Sequence, residues 1–391
     1  MRIALVSDCY LPRLGGIELQ VHDLAVQLIR AGHKVTVFTI TDGPSADVPV
    51  VRLPAIAGIP LPSAIDRLRV ELESFDIVHA HSSLVSPLAW HAARLARAAV
   101  ITVHSLPGPT MPWPIAQIDR YAGGNVGWTA VSEAVATVVR RSLPGRTVDV
   151  LHNGVDPRAW RPVGRADHPL TIVSTMRLSR RKRPMALLDT LAMIRELVPP
   201  SVPLRGVIVG AGPRERAVEA RRRALAPWVE LPGRLTRYEI RQLYASSDLY
   251  LAPAELESFG VAALEARCAG LPVVAMASGG VREFIRPGIE GYVVESDTEM
   301  ARTVAELLSD TDVLTRIQRH NQDTDPLMTW DHVIAQHLVT YATRLEFADG
   351  STRRVKDAVQ ARHLIDTGPG AGGGQGNSFD GDGMAVRRRW R

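Results

Sequence analysis

Short apolar runs alternate along this chain with longer stretches in which apolar residues recur every three or four positions. Ile3-Ala4-Leu5-Val6 reads as a buried strand. A turn-rich stretch, Asp8 to Gly16, follows. Ile17, Val21, Leu24, Ala25 and Leu28 then share one helical face, which Gly32 ends. The pattern predicts a strand over 34–40, a helix over 63–75, a strand over 77–80, a helix over 87–98 and a strand over 100–103. A second helix-like stretch covers 134–143. Strands apolar on both faces, separated by helices, require a parallel sheet covered on both sides. Residues 156–169, rich in proline and charge, predict a linker, after which the alternation restarts. Strands are expected at 170–174, 207–210, 249–252, 273–275 and 291–294, with helices at 184–198 and 260–269. Residues 300–341 predict mostly helix. The fold class is therefore α/β, with two Rossmann-like units bounded at 1–160 and 168–327. The segment 348–391, glycine-rich over 367–382 and ending Arg387-Arg388-Arg389-Trp390-Arg391, is expected to be a disordered tail.

The length of 391 residues suits two or three domains. Cys9 and Cys268 are the only cysteines, too few for a disulfide framework or a cysteine metal site, and they fit a reducing cytoplasm. The N-terminal apolar run is too short for a signal peptide, and no stretch reaches the length of a membrane span. The net charge of +5 is carried almost wholly by arginine, since lysine occurs only at Lys34, Lys182 and Lys356. That balance suits anionic partners such as nucleotides, phosphate groups or an acidic membrane surface. Nucleic acid is the weaker reading and is not expected as a partner: the arginine content alone suggests it, and no recognition motif or interleaved aromatic-basic strip is present.

The segment from Ala252 to Ala266 carries the most chemistry. A strand ends, a loop passes Glu255 and Glu257, and a helix opens near Gly260. The free N–H groups of such a helix start attract a diphosphate. Glu257 in the loop can accept hydrogen bonds from sugar hydroxyls. Glu265, two turns on, can hold another hydroxyl-bearing part of the same ligand. Read from spacing alone, both could equally be solvated glutamates stabilised by the helix dipole. In the loop after the strand 170–174, Arg177 and Lys182 stand in an arginine-rich turn at the sheet edge that lines ligand crevices. The first strand-to-helix loop contains Gly15-Gly16, whose missing side chains allow close backbone approach. It lacks the Gly-x-Gly-x-x-Gly of dinucleotide binding, which argues against a nicotinamide enzyme. His104 closes the strand 100–103, and His79 and His81 lie on the strand 77–80 or just past it.

Glu257 and Glu265, with Ser258-Phe259-Gly260 between them and Ala269-Gly270-Leu271-Pro272-Val273-Val274 after, are similar to the signature of the family 4 retaining glycosyltransferases. The resemblance continues through Gly279-Gly280, Glu283 and Gly291, and smaller matches occur at 130–133, 151–156, 210–213 and 329–341. It covers about residues 1–345. It implies the GT-B fold: two facing Rossmann-like domains with parallel sheets and an interdomain cleft, with a helix at 328–347 returning to the first domain. It also implies a residue-by-residue site. Glu257 would contact the donor sugar and Glu265 the nucleotide ribose. Ser258, Phe259, Gly260 and Val261 would border the diphosphate and sugar, with Gly16 presenting an amide from the other domain. Arg177 and Lys182 would clamp the diphosphate in place of a metal, and Gly212 would let the nucleotide base approach. His104 would contact the transferring sugar or acceptor, and His81 and Gly15 would line the acceptor side. Departures from the family pattern stand at His152 and Arg282, where proline is usual, at Met176, where glycine is common, and at Arg267-Cys268.

The reading implied is a retaining glycosyltransferase using a nucleotide diphosphate sugar, with GDP-mannose favoured over a UDP-sugar by analogy with arginine-rich members. The acceptor would be a glycan, lipid or small molecule. No cofactor and no essential metal are expected. The location expected is the cytoplasm, including its membrane face, where 134–143 with Arg140-Arg141, and Trp113, could meet anionic lipid. Two other readings compete: a nucleotide-sugar epimerase of the same fold, and a non-catalytic sugar-nucleotide-binding protein. A glycogen-type phosphorylase would need a lysine-bound pyridoxal phosphate, for which three lysines leave little scope.

Overall fold

In the computed structural model, which describes residues 1–44, 47–108, 114–124, 126–162 and 168–349, the apolar runs pair as two parallel sheets. The expected tail beyond residue 349 and Trp113 lie outside the described residues. In the first unit the elements run β1 (Arg2–Ser7), α1 (Gly16–Arg30), β2 (Lys34–Thr39), β3 (Val50–Arg52), a small hairpin β4 (Ala55–Ile56) and β5 (Ile59–Pro60), then α2 (Pro62–Leu72) and β6 (Ile77–Ser82). They continue with α3 (Pro87–Leu95), β7 (Ala99–Val103), α4 (Ile115–Ala122), β8 (Val126–Ala130), α5 (Glu133–Ser142), β9 (Val148–Val150) and the single turn α6 (Pro157–Trp160). Seven strands pair in the order β3-β2-β1-β6-β7-β8-β9.

The second unit runs β10 (Leu170–Thr175), α7 (Pro184–Leu197), β11 (Leu204–Val209), α8 (Glu215–Leu225), β12 (Val229–Gly233), α9 (Arg237–Ala245), β13 (Leu249–Ala252), α10 (Val261–Cys268), β14 (Val273–Met276), β15 (Gly291–Val294), α11 (Asp297–Ser309) and α12 (Thr311–Asp323). Its six strands pair in the order β12-β11-β10-β13-β14-β15. Helix α13 (Trp330–Ala348) follows. In both sheets the strand order reverses at the centre, between β1 and β6 and between β10 and β13. In open parallel sheets the ligand crevice opens at that reversal, beyond the strand C-termini.

Alternating residues of each central strand feed two cores, as the two-residue strand period requires. Ile3 and Leu5 pack with Val21, Leu24 and Leu28 of α1 on one face, and Ala4 and Val6 pack with Leu68 and Leu88 on the other. Burying one such leucine stabilises the fold by about 1.5–3 kcal/mol. Helix α13 closes the first unit by burying Trp330, Val333, Ile334 and Tyr341 against the α1 face. Gly154 permits this, because a Cβ there would sit 2.3 Å from the Trp330 ring. A further hydrophobic cluster is continuous from Ile101, Val103 and Val135 of the first unit to Phe259, Val281 and Phe284 of the second.

Candidate active site

Two loops at the reversal of the second sheet are clamped together. Arg181 donates to the Leu256 carbonyl at 3.0 Å, and Lys182 Nζ lies 2.5 Å from Glu257 Oε2. Arg183, held in the left-handed region at φ 54°, donates to the Pro253 carbonyl and pairs with Asp297 and Glu255. The loop after β10 is thereby fixed against the loop after β13, and the cation and the carboxylate implied for donor binding meet as an ion pair. Arg177 is exposed near the start of this loop; its carbonyl accepts from the Ser179 amide at 2.7 Å, and its guanidinium has no hydrogen bond or ion pair among the described residues. The third loop of this edge carries Gly212, where a Cβ would stand 2.5 Å from the Leu178 carbonyl oxygen. A side chain there would push the 177–183 loop away.

Gly260 begins α10 with φ 97°, a conformation that favours glycine. The free amides beyond it, beside partly buried Val261, face the same crevice. Phe259 is buried against Phe284 and His152, so only its backbone is available to a ligand. Ser258 is already engaged across the cleft. Its hydroxyl accepts from the Leu106 amide at 3.0 Å, and its carbonyl accepts from the Ser132 hydroxyl at 2.5 Å. These bonds bring the loop that follows His104 against the Glu257–Gly260 loop. Beside them Glu283 accepts from the Glu133 amide at the start of α5 and pairs with His152, both at 2.7 Å. His152, one of the departures from the family pattern, is therefore half of an interdomain contact. Arg267, another, is buried and donates to the Thr324 carbonyl at 3.2 Å, while Arg282 is exposed.

On the first unit, Gly16 opens α1 with an exposed backbone, and Gly15 caps it in extended conformation. A Cβ on Gly15 would meet the Glu18 carboxylate at 2.3 Å. Gly15 thus packs over Glu18, whose carboxylate pairs with Arg13. Residues 16, 20, 23 and 27 of α1 form one helical stripe toward the second unit. Asp23 in this stripe takes both Arg237 guanidinium nitrogens of α9, at 3.0 and 2.5 Å. Below that bridge lies a cavity of about 90 Å³ lined by Gln20, Asp23, Trp160, Arg237, Arg241 and Glu265. Burial raises the Glu265 carboxyl to about 8, with Arg237 opposing and Asp23 adding to the shift. Glu265 lies four residues beyond Val261, ~6 Å along the axis. That spacing matches a ligand with its diphosphate at the helix start and its ribose one turn deeper.

His104 sits just past β7 with 8% of its surface exposed. Burial lowers its pKa to about 3, so it is uncharged at neutral pH. His81, expected to line the acceptor side, is a buried ring with 3% of its surface exposed. His81 is sealed behind His104, its Nδ1 2.9 Å from His104 Nε2. Strand β6 is buried on both faces, so the side chain points into the core and not into the cleft. The basic helix expected to meet lipid is α5, with Arg140 and Arg141 exposed. Arg140 is tied to Glu133 and to the Val148 carbonyl, and α5 starts at the cleft, so Arg140 and Arg141 lie at the far end. Exposed apolar side chains lie elsewhere: Leu14, Ile56, Ile59 and Val85 are 53%, 67%, 64% and 66% exposed. Leu14 and Val85 lie in the loops after β1 and β6, and Ile56 and Ile59 in the β4–β5 hairpin that follows β3. No described helix is long and apolar enough to cross a membrane.

Four residues outside the sequence reading also shape the site: Asp23, Arg237, Arg181 and Asp8. Asp8 caps α3 by accepting from the Leu88 and Ala89 amides at 3.0 and 3.1 Å, and burial raises its carboxyl to about 6. Arg181 belongs to the arginine-rich turn already singled out, whereas Asp8, Asp23 and Arg237 sit in no local pattern that marks them.

Residues 158–324 match the family described as "Glycosyl transferases group 1", and residues 14–159 match "Glycosyltransferase Family 4". A phosphatidylinositol N-acetylglucosaminyltransferase gpi3 subunit from Schizosaccharomyces pombe is 27% identical over 83% of this chain and 77% of its own. A GDP-mannose-dependent alpha-(1-6)-phosphatidylinositol monomannoside mannosyltransferase of Mycobacterium tuberculosis is 29% identical over 80% of this chain and 90% of its own. Among solved structures, Anabaena Alr3699/HepE in complex with UDP-glucose superposes with a TM-score of 0.71 at 19% identity. That match covers 88% of this chain and all of the other, and the shared fold is GT-B.

Proposed function

The chain belongs to the family 4 glycosyltransferases, and from that premise we propose that it transfers a sugar, with retention and without a metal, from a nucleotide diphosphate donor to a membrane lipid. The observation that supports this reading is the Lys182–Glu257 ion pair beside the start of α10, with the bond from Leu106 to Ser258 bringing the loop after His104 alongside. Residues 1–160 with the helix 328–347 form the acceptor-side domain, and residues 168–327 form the donor domain.

Donor entry would exchange the Lys182–Glu257 pair for two ligand contacts. The diphosphate takes the ammonium, and the outer sugar hydroxyls donate to the carboxylate. Glu257 is thereby occupied away from the anomeric carbon, so a covalent glycosyl-enzyme has no nucleophile. The acceptor oxygen instead bonds to the anomeric carbon on the face from which the diphosphate leaves. The carbon–oxygen bond to the diphosphate breaks, and the acceptor's proton passes to the departing phosphate oxygen. Lys182, Arg177 and the α10 amides absorb the charge that develops there. The contacts from Ser132 and Leu106 to Ser258 hold the cleft closed and keep water out.

The exposed Leu14, Ile56, Ile59 and Val85 favour a lipid acceptor. They could enter the acyl boundary of the membrane's inner face while the headgroup reaches His104. GDP-mannose is the favoured donor. The test is transfer to inositol phospholipid in vesicles and to a short-chain soluble analogue, with Ile56→Asp/Ile59→Asp as variant. The reading expects loss of transfer to vesicles with transfer to the analogue retained. Equal rates on vesicles for variant and wild type would overturn the lipid-facing assignment. Donor turnover that needs no acceptor would favour the epimerase.

A further inference from the structure

His79, His81, His104 and His337 form a buried group between β6, β7 and α13, and the protons on these rings can be placed by following each hydrogen bond to its end. Thr129 Oγ1 donates to the Ile101 carbonyl at 3.3 Å, which can only accept. Thr129 therefore accepts from Thr102 Oγ1 at 2.6 Å. With its proton used, Thr102 accepts from His79 Nε2, also at 2.6 Å. His79 Nδ1 is then bare and accepts from the Tyr341 hydroxyl at 2.7 Å. The reverse direction would leave the proton of a fully buried tyrosine without an acceptor. Both nitrogens of His79 are accounted for, and His337 Nδ1 donates to the Val333 carbonyl at 2.7 Å. Burial keeps all four rings uncharged.

The remaining pair is His81 and His104. The parallel register sets His81 beside Thr102, and the His104 amide donates to the Ser82 carbonyl at 2.9 Å. This brings His81 Nδ1 within 2.9 Å of His104 Nε2, so one proton lies between them. His81 Nε2 and Gln20 Oε1 have no hydrogen-bond partner and are sealed from solvent. Both line a small cavity of about 20 Å³ under Gly154 and Trp330. If His104 were the donor, His81 would carry its proton on Nε2, as a buried N–H without an acceptor, the rarer and costlier kind of orphan. If His81 is the donor, only acceptors face the cavity, and no ring N–H is buried without a partner in the protein.

We propose that His81 is a positioning residue: its Nδ1–H donates to His104 Nε2 and fixes the His104 proton on Nδ1, where the cleft meets a neutral N–H donor. This deepens the glycosyltransferase reading and rests on it for its consequence, that His104 donates to an oxygen of the sugar or acceptor. A ring nitrogen held by a second group is a common way of setting which nitrogen faces the chemistry.

The test is the long-range ¹H–¹⁵N spectrum of the histidine rings in the full chain, read at pH 7.5 and assigned with a His104→Gln variant. The expected result is His104 protonated on Nδ1 in the wild type. His104 protonated on Nε2 overturns the proposal, whether or not transfer has been detected, so the spectrum fails separately from the glycosyltransferase reading. Two variants then read the consequence. His81→Asn places an amide donor where Nδ1–H stands and should keep the His104 pattern and transfer within about threefold. His81→Phe removes the donor, should move the His104 proton to Nε2 and should lower kcat by ~10- to 100-fold, the scale of losing an orienting partner. Equal losses in folded Asn and Phe variants, with the His104 pattern unchanged, overturn it.

Discussion

Replacing Lys182 by alanine separates the catalytic part of the account from the structural part. The ammonium lies 2.5 Å from Glu257 Oε2, with 32% of the lysine side chain and 17% of the glutamate side chain exposed. A pair this open to solvent contributes at most about 1 kcal/mol to folding. Arg181 still faces Glu257 after the change and takes up part of the lost charge. For a domain of this size that limits the fall in Tm to roughly 2–4 °C. In the transition state the same ammonium meets charge building on the leaving phosphate. Loss of one such donor costs about 2.7–4 kcal/mol, or ~10²–10³ in kcat. The assay is nucleoside diphosphate release during transfer, with thermal unfolding on the same samples. Combining Lys182→Ala with Glu257→Ala should cost less than the sum of the single losses, because the two act on one bound donor. A loss of activity below fivefold, or a loss fully explained by unfolding at the assay temperature, would refute the reasoning.

Glu257→Ala should abolish transfer while leaving the affinity for free nucleoside diphosphate within a few fold, since its partner is the sugar; calorimetric titration of the diphosphate reads this, and equal loss of both would move Glu257 to the nucleotide. Glu265 is raised by burial from 4.5 to about 8, so the free protein holds it protonated at neutral pH and loses that stabilisation as pH rises through 8. Ribose hydroxyls donate to the ionised form, so nucleotide binding should release a proton near pH 7 and tighten as pH rises from 6 to 8; titration in buffers of different ionisation heat measures it, and proton uptake would contradict it. Glu283→Gln removes the charge that His152 and the Glu133 amide share, and should open the cleft; a larger radius of gyration by solution scattering is the expected result, and an unchanged one means the contact does not hold the domains together.

The two sheets were legible because their central strands are unbroken apolar runs and their helices keep a clear stripe, as in α1 and α7. Elements without such a signal were not. Helix α8 buries only Val218 in a run of charged residues, so its period is too thin to see. The β4–β5 hairpin turns through Ala57 and Gly58, both in the left-handed region, but its strands of two residues each are too short to show an alternating pattern. The donor loops could be placed because their residues are close in sequence and lie on strand ends. The histidine pair could not, because His81 and His104 meet only through the register of β6 on β7. Asp23 and Arg237, 214 residues apart, meet only when the domains face each other. His152 looked like a departure from the family pattern, and its partner Glu283 gives the physical reason for it.

The central claim is that this chain moves a sugar from a nucleotide diphosphate donor with retained configuration and no metal. The most direct measurement incubates the full chain with GDP-mannose, and in parallel UDP-sugars, plus inositol phospholipid in excess chelator, and reads the anomeric configuration of the extracted product by NMR. The account predicts a glycolipid whose new linkage keeps the donor's configuration, formed at the same rate with and without the chelator. An inverted linkage, or transfer that appears only when magnesium or manganese is restored, would contradict it.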